Sequence, residues 1–149
     1  MTSEFDKDID RIPFKKLTGN FSGFGGNCGQ LALAIYNILK DKYKISFIVY
    51  SNYSDGIPTP KVLQAAEPMI YHVGIFVHEN GDYGVFLDGD GIGSWEQMDK
   101  DIMDWYDLDN PPSVFVYKYS EELHSLIDTE TNWNVPWGKF YNLLNRNAR

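Results

Sequence analysis

Three side chains of this sequence could together carry out a covalent reaction. Cys28, the only cysteine, is a candidate nucleophile, and His72 and Asp88 follow it in the chain. A thiolate attacks carbonyl carbons, an imidazole moves the proton that the reaction requires, and a carboxylate holds the imidazole in one orientation. These residue types predict a Cys-His-Asp triad and thiol-dependent acyl transfer.

Cys28 stands where a loop rich in glycine and aromatic residues meets a predicted helix. Apolar residues recur at helical spacing after the cysteine, which predicts a helix over residues 28–41 with Asn27 as its N-cap. At the start of a helix, the macrodipole favours a thiolate and the free backbone N–H groups can hold an oxyanion. Asn27, Ser22 and Asn20 are the candidates for a side-chain donor to the same oxyanion.

His72 and Asp88 lie at opposite ends of a predicted β-hairpin, which two β-prone runs form around an Asn-Gly pair. If the turn has three residues and Gly81 is left-handed, His78 faces Asp82, and the register places His72 directly opposite Asp88. Directly opposed side chains share one face of the sheet, with Cβ atoms about 5 Å apart. A two-residue turn would shift the register by one residue and move Asp88 to the other face.

The acidic segment after the hairpin leaves other interpretations open. Asp90 is an alternative third member of the triad, and Asp-Gly pairs are also ordinary turn formers. A calcium loop counted from Asp88 has Ile92 at its fifth position and Asp99, not Glu, at its twelfth, which is a poor match. No Cys-x-x-Cys pair supports zinc, and no Gly-Lys-Ser/Thr supports a phosphate loop. We therefore predict no metal and no cofactor.

The rest of the chain predicts an α+β fold, in which an N-terminal helix packs on an antiparallel β-sheet and extra helices follow near the C-terminus. Residues 1–149 are predicted to form one domain, with a loosely ordered polar segment over 1–12. A helix is predicted after Ser94, where Ser94 and Gln97 form a capping box. The other predicted elements are strands over 45–50, 71–77, 83–88 and 114–119, and helices over 28–41, 61–66, 120–128 and 137–145.

The order of these residues resembles the papain-like superfamily of cysteine hydrolases, and within it the transglutaminase-like branch. A lone cysteine opens a helix, a histidine starts a later strand and an aspartate ends the next strand, over roughly residues 24–91. The resemblance implies a papain-like core with Cys28 as nucleophile, His72 as general base and then acid, and Asp88 as the orienting residue. The sequence departs from the papain type at Gly29, where an aromatic residue is usual, and in having no clear counterpart of the oxyanion glutamine.

Composition excludes several classes of partner. The formal net charge is −8 and no Lys/Arg stripe offsets it, so nucleic acid and anionic membranes are not expected partners. The N-terminus has no apolar signal-peptide core, and no apolar run is long enough to span a bilayer. A single cysteine forms no internal disulfide, which favours a reducing compartment. We expect a cytoplasmic protein, and export without a cleaved signal peptide stays open.

The function predicted from the sequence is a cysteine-dependent hydrolase or acyl-transferase that acts on an amide bond of a protein or peptide substrate. The substrate candidates are a peptide bond, a peptidoglycan peptide and a glutamine side chain. The sequence does not choose among them, and it does not set the oligomeric state. The alternative is a non-catalytic binding or inhibitor protein on the same scaffold, for example from a phage or a bacterial competition system, with Cys28 as a small buried apolar residue.

Overall fold

The structure is a computed structural model that describes residues 4–12, 28–51, 71–88, 91–110, 113–125 and 127. Within these ranges the helices are α1 (Glu4–Asp10), α2 (Cys28–Leu39), α3 (Trp95–Tyr106) and α4 (Glu121–Ser125). The strands are β1 (Lys44–Ser51), β2 (Tyr71–Asn80), β3 (Tyr83–Asp88), β4 (Gly91–Gly93) and β5 (Ser113–Tyr117). The chain is α+β, as the sequence predicts.

The five strands form one sheet in the order β4-β3-β2-β1-β5, and all neighbouring strands are antiparallel. The central strand β1 is rich in β-branched and aromatic residues, which suit a pleated surface. Every residue of β1 from Phe47 to Ser51 is buried. The centre of the sheet is therefore covered on both sides.

Helices cover the two faces of the sheet, so the described part of the chain has three layers. Successive side chains of a strand point to opposite faces, and the core divides accordingly into two clusters. The cluster on the first face, the α2 face, includes Phe47, Val49, Val73, Ile75, Val77 and the apolar residues of α1 and α2. The cluster on the second face, the α3 face, contains Ile48, Tyr50, Phe76, Phe86, Met98 and Ile102.

Helix α1 differs from the loosely ordered segment predicted over residues 1–12. Phe5, Ile9 and Ile12 are buried and belong to the cluster on the α2 face. Their spacing of i, i+4 and i+7 is that of an amphipathic helix. The prediction was wrong here because it relied on the many charged residues of this segment. Only the spacing of the three apolar residues indicates a helix.

The β2–β3 hairpin has a different turn from the predicted one. Gly81 is left-handed, with φ of 60°, as expected. The turn residues are Gly81 and Asp82, however, and His78 pairs with Gly84 instead of Asp82. The register also shifts between His78 and Asn80, which marks a β-bulge in β2. The predicted register is therefore wrong.

The other predicted helices have mixed outcomes. Ser94 is the N-cap of α3, and its hydroxyl accepts the Gln97 N–H at 3.0 Å, as predicted. The Gln97 side chain bonds Asp101 at 3.0 Å instead of returning to the cap, so half of the capping box forms. The helices predicted over 61–66 and 137–145 lie outside the described residues. In the described ranges, no helix has the length and apolarity needed to cross a bilayer.

Candidate active site

Cys28 is the first residue of α2, as the sequence predicts. The backbone N–H of Val73 donates a hydrogen bond to the cysteine Sγ, with nitrogen and sulfur 3.4 Å apart. Only 8% of Cys28 is exposed. The sulfur therefore has a fixed position between the start of a helix and the start of a strand, with one backbone donor already directed at it.

The sulfur accepts a hydrogen bond from the backbone of β2. The described pairing of β2 with β3 begins at Ile75 and Leu87. Val73 lies two residues before this pair, and its N–H group donates to Sγ. The sulfur thus satisfies a buried backbone donor of β2.

His72 and Asp88 are in direct contact at the same end of the sheet. Nε2 of His72 and Oδ2 of Asp88 are 2.9 Å apart, and the two side chains are 14% and 2% exposed. A buried carboxylate bonded to one ring nitrogen fixes the orientation of the imidazole. Asp88 is thus placed to orient His72.

The contact between these side chains is diagonal and not directly across the hairpin. When the β2–β3 register is continued, Gly74 lies opposite Asp88, two residues from His72 on the same face. Continued without a bulge, the pair of Asn80 with Tyr83 would place Asp88 opposite Ile75, on the other face from His72, and the extra residue Glu79 in β2 moves Asp88 back to the face of His72. The two side chains therefore share a face, although the predicted register does not hold. Diagonal neighbours on one face remain within reach of long side chains.

The charge of His72 depends on Asp88 and on Cys28, which lies near its ring. Burial lowers the pKa of the imidazole, but the hydrogen bond to Asp88 and the proximity of Cys28 outweigh burial and raise the pKa from 6.5 to about 10. Nε2 is the ring nitrogen bonded to Asp88, and Nδ1 is the one left for another partner. At neutral pH the ring is therefore an imidazolium between a carboxylate and a thiol group.

The two halves of the site come from opposite faces of the sheet. Cys28 belongs to the cluster on the α2 face. His72 alternates with Val73 along β2 and points to the α3 face, where its ring lies 5.3 Å from that of Trp105 in an edge-on arrangement. The sulfur and the imidazole lie near each other at the start of β2. Both helices and the sheet must therefore be in place for the contact to form.

Four other candidates from the sequence lie outside the described residues, namely Asp90, Asn27, Ser22 and Asn20. Asp88 is the carboxylate that contacts His72. In the part of the chain that the structure describes, no group of at least three His, Cys, Asp or Glu side chains could hold a metal ion.

Sequence reasoning missed two members of the site, the Val73 N–H and Trp105. Trp105 carries a visible signal, since it continues the helical spacing of Met98 and Ile102, which marks the stripe of α3 that faces the sheet. The role of the Val73 N–H has no such signal, because it depends on how the start of α2 packs against β2.

No family model, curated protein or solved structure matches this chain. The resemblance to the papain-like superfamily accordingly stays a prediction. The function is inferred below from the geometry of Cys28, His72 and Asp88 and from the chemistry of these groups.

Proposed function

We propose that this chain is a cysteine-dependent hydrolase or acyl-transferase with a papain-like core, and that it acts on an amide bond of a protein or peptide. The observation that carries this proposal is the buried His72–Asp88 hydrogen bond of 2.9 Å, with Cys28 nearby at the first residue of α2. A nucleophile, a proton carrier and a buried orienting acid in this order are what nucleophilic catalysis requires.

The first half of the reaction is the acylation of Cys28. The Sγ thiolate attacks the amide carbonyl carbon, so that a C–S bond forms and the carbonyl oxygen becomes an oxyanion. When the oxyanion collapses, the C–N bond breaks and His72 gives its Nδ1 proton to the leaving amine. Asp88 keeps the ring oriented through Nε2. The products are a thioester on Cys28 and a free amine.

In the second half, water or another amine resolves the thioester. Neutral His72 takes a proton from the attacking group, a new C–O or C–N bond forms, and the thiolate leaves as the C–S bond breaks. Attack by water gives hydrolysis or deamidation, and attack by an amine gives acyl transfer. The substrate candidates are a peptide bond, a peptidoglycan peptide and a glutamine side-chain amide.

The start of α2 supplies the electrostatic part of the proposal. The first N–H groups of a helix have no acceptor within the helix, and here they lie next to the sulfur of Cys28. Because the helix fixes them, they stabilise an oxyanion without rearrangement. The first turn of α2 has no acidic residue that would compete for these donors.

The low exposure of Cys28 favours a second candidate function. At 8% exposure, this residue offers little surface to a macromolecular substrate. Cysteine is also a common buried residue with no chemical role. On this view the chain is a non-catalytic binding or inhibitor protein on a papain-like core, and the contacts of His72 stabilise the fold.

Two reactions of the thiol distinguish these functions, namely alkylation by iodoacetamide at pH 6 and acylation by p-nitrophenyl acetate. Cys28 is the only cysteine, so both signals report on it. For an enzyme, we expect alkylation to be at least about tenfold faster than in the urea-unfolded chain, because the folded site favours the thiolate. We also expect a burst of about one nitrophenolate per chain, as the acyl group moves to sulfur.

The matched variants are His72→Ala and His124→Ala. The first removes the proton carrier, and we expect it to abolish the burst and slow alkylation at pH 6. The second removes a histidine of α4 and should leave both signals unchanged. The enzyme proposal would be contradicted if the folded protein reacted no faster than the unfolded chain, or if His72→Ala were as reactive as the wild type. Either result would favour the binding protein.

A further inference from the structure

A pocket lies on the α3 face of the sheet, apart from the residues of the triad. Its volume is about 320 Å³, which is within the range of small-molecule binding sites. The residues that line it are Ser46, Phe76, His78, Asp82, Trp95 and Val116. None of these residues takes part in the proposed acyl transfer.

Two of the lining residues form a hydrogen-bonded chain. Nδ1 of His78 lies 2.8 Å from the carbonyl oxygen of Gly81, which can only accept, so Nδ1 carries the proton. In the neutral ring Nε2 is then an acceptor, and the Ser46 hydroxyl donates to it at 3.0 Å. The only proton of the hydroxyl is used in this bond. The lone pairs that remain on the Ser46 oxygen can only accept.

Asp82 gives the pocket a further acceptor, because its carboxylate has no proton to donate. Lys44 pairs with His78 across the two strands, but it lines a neighbouring groove together with Lys42 and not this pocket. A ligand that bonds Ser46 and Asp82 must consequently bring its own donors, and a positive charge matches Asp82.

The remaining walls of the pocket are aromatic and hydrocarbon surfaces. The ring centroids of Phe76 and Trp95 are 5.8 Å apart, and those of Phe76 and His78 are 4.9 Å apart. Aromatic rings attract organic cations and pack well against hydrocarbon. The formal net charge of −8 also raises the concentration of cations near the protein.

We propose that this pocket binds an organic ammonium ion with a hydrocarbon or aromatic body. The ammonium group donates hydrogen bonds to Ser46 and Asp82, and the body packs among Phe76, Trp95 and Val116. The recognised chemistry is a donor-rich cationic head on an apolar stem. An amine of this kind is separate from the amide substrate proposed above.

The probe is 2-phenylethylammonium, and the neutral 2-phenylethanol has the same body without the charge. We expect a saturable shift of the Trp95 indole N–H signal in NMR spectra with the ammonium ion. The alcohol should bind roughly fivefold more weakly, because it lacks the charge interaction with Asp82. Asp82→Asn and Ser46→Ala should each weaken binding of the ammonium ion by a similar factor, and Asp109→Asn, outside the pocket, should not.

Three results would overturn this site: no saturable shift of the indole signal, equal affinity for the ammonium ion and the alcohol, or unchanged affinity in Asp82→Asn. Cys28→Ala is expected to bind the ammonium ion as the wild type does, because the two sites share no residue. Loss of thiol reactivity and loss of amine binding are thus separate failures, and each can be observed without the other.

Discussion

His72 lies near Asp88 and Cys28, and both groups raise the pKa of its imidazole. Burial by itself would favour the neutral ring, yet Asp88 at 2.9 Å and the thiol of Cys28 reverse this preference. A ring with a pKa of about 10 is an acid at neutral pH, ready to protonate a leaving amine. The ion pair between His72 and Asp88 is therefore formed before a substrate arrives.

Removal of the orienting carboxylate tests this charge state. In the wild type, we expect both ring nitrogens of His72 to stay protonated to about pH 10. In Asp88→Asn the pKa should fall by roughly 1–3 units, because one of the two negative partners is lost. Titration of the ¹⁵N shifts of the imidazole measures both values. Asp104→Asn removes an exposed carboxylate of α3 and serves as the control; a His72 titration that moved equally in both variants would contradict the assignment.

The same shift has a consequence for stability. The pKa of His72 in the folded chain lies above its ordinary value of 6.5, so the imidazolium stabilises the fold. This contribution is fully present below pH 6.5 and is lost as the pH rises towards 10. Both proteins lose this contribution equally up to the lowered His72 pKa of Asp88→Asn. Between that pKa and about 10, the stability difference between the wild type and the variant should shrink by up to roughly 1.4 kcal/mol per pH unit. Urea unfolding at several pH values measures the difference.

At the scale of the element, the hairpin keeps Asp88 on the correct face by two changes that cancel. The turn is shorter than the one predicted, which by itself would invert β3, and the bulge at Glu79 inverts it back. The Asn-Gly pair and the alternating strands were enough to predict a hairpin. They could not predict the bulge, because its position depends on packing of the sheet and not on turn composition.

Close contact between β2 and β3 leaves no space for a side chain at Gly84. A Cβ atom at Gly84 would lie 2.1 Å from the backbone oxygen of Val77, whereas a Cβ at Gly93 in β4 would meet nothing within 4 Å. We expect Gly84→Ala to lower the free energy of unfolding by about 2 kcal/mol or more, since backbone atoms must move. Gly93→Ala should change it by less than about 0.5 kcal/mol. Urea unfolding curves compare them, and equal midpoints would contradict this account of the sheet.

At the scale of the whole molecule, α1 is attached to the core by both apolar and polar contacts. Beside its buried apolar stripe, Asp8 is only 9% exposed and accepts hydrogen bonds from Tyr43 and Lys42. These bonds, from Tyr43 first and then from Lys42, lower the pKa of Asp8 from 3.8 against the opposing effect of burial. The helix is thus tied to the segment that connects α2 to β1.

Replacement of Asp8 by Asn tests this attachment. We expect Asp8→Asn to lower the free energy of unfolding at pH 7 by about 1–3 kcal/mol, because a buried charged acceptor is lost. The folded pKa of Asp8 is depressed, so its contribution is present above pH 3.8 and is lost as the pH falls below that value. The two proteins should therefore converge in strong acid. Asp10→Asn, an exposed change on the same helix, is the control, and a similar loss there would contradict the contact with Tyr43.

The sequence predicted the α+β class, the antiparallel sheet and the helix that begins at Cys28, because these depend on local spacing. The contact between His72 and Asp88 also joins two residues that the sequence had paired. The sequence did not predict α1, where charges hide the apolar stripe, or the contact of Trp105 with His72. Such features follow from which surfaces remain uncovered after the sheet has formed, and no local pattern records that.

The hydrogen bond from the Val73 N–H to the sulfur of Cys28 connects strand β2 to the atom that would react in the proposed mechanism. A charged sulfur is a strong acceptor, while a sulfur in a thioester or an oxidised form is a poor one. Each cycle of the proposed reaction would weaken the hydrogen bond from the Val73 N–H to the sulfur and then restore it. If Cys28 is acylated in the proposed reaction, we expect the amide proton of Val73 to exchange with solvent deuterium faster in the acyl-enzyme than in the free protein.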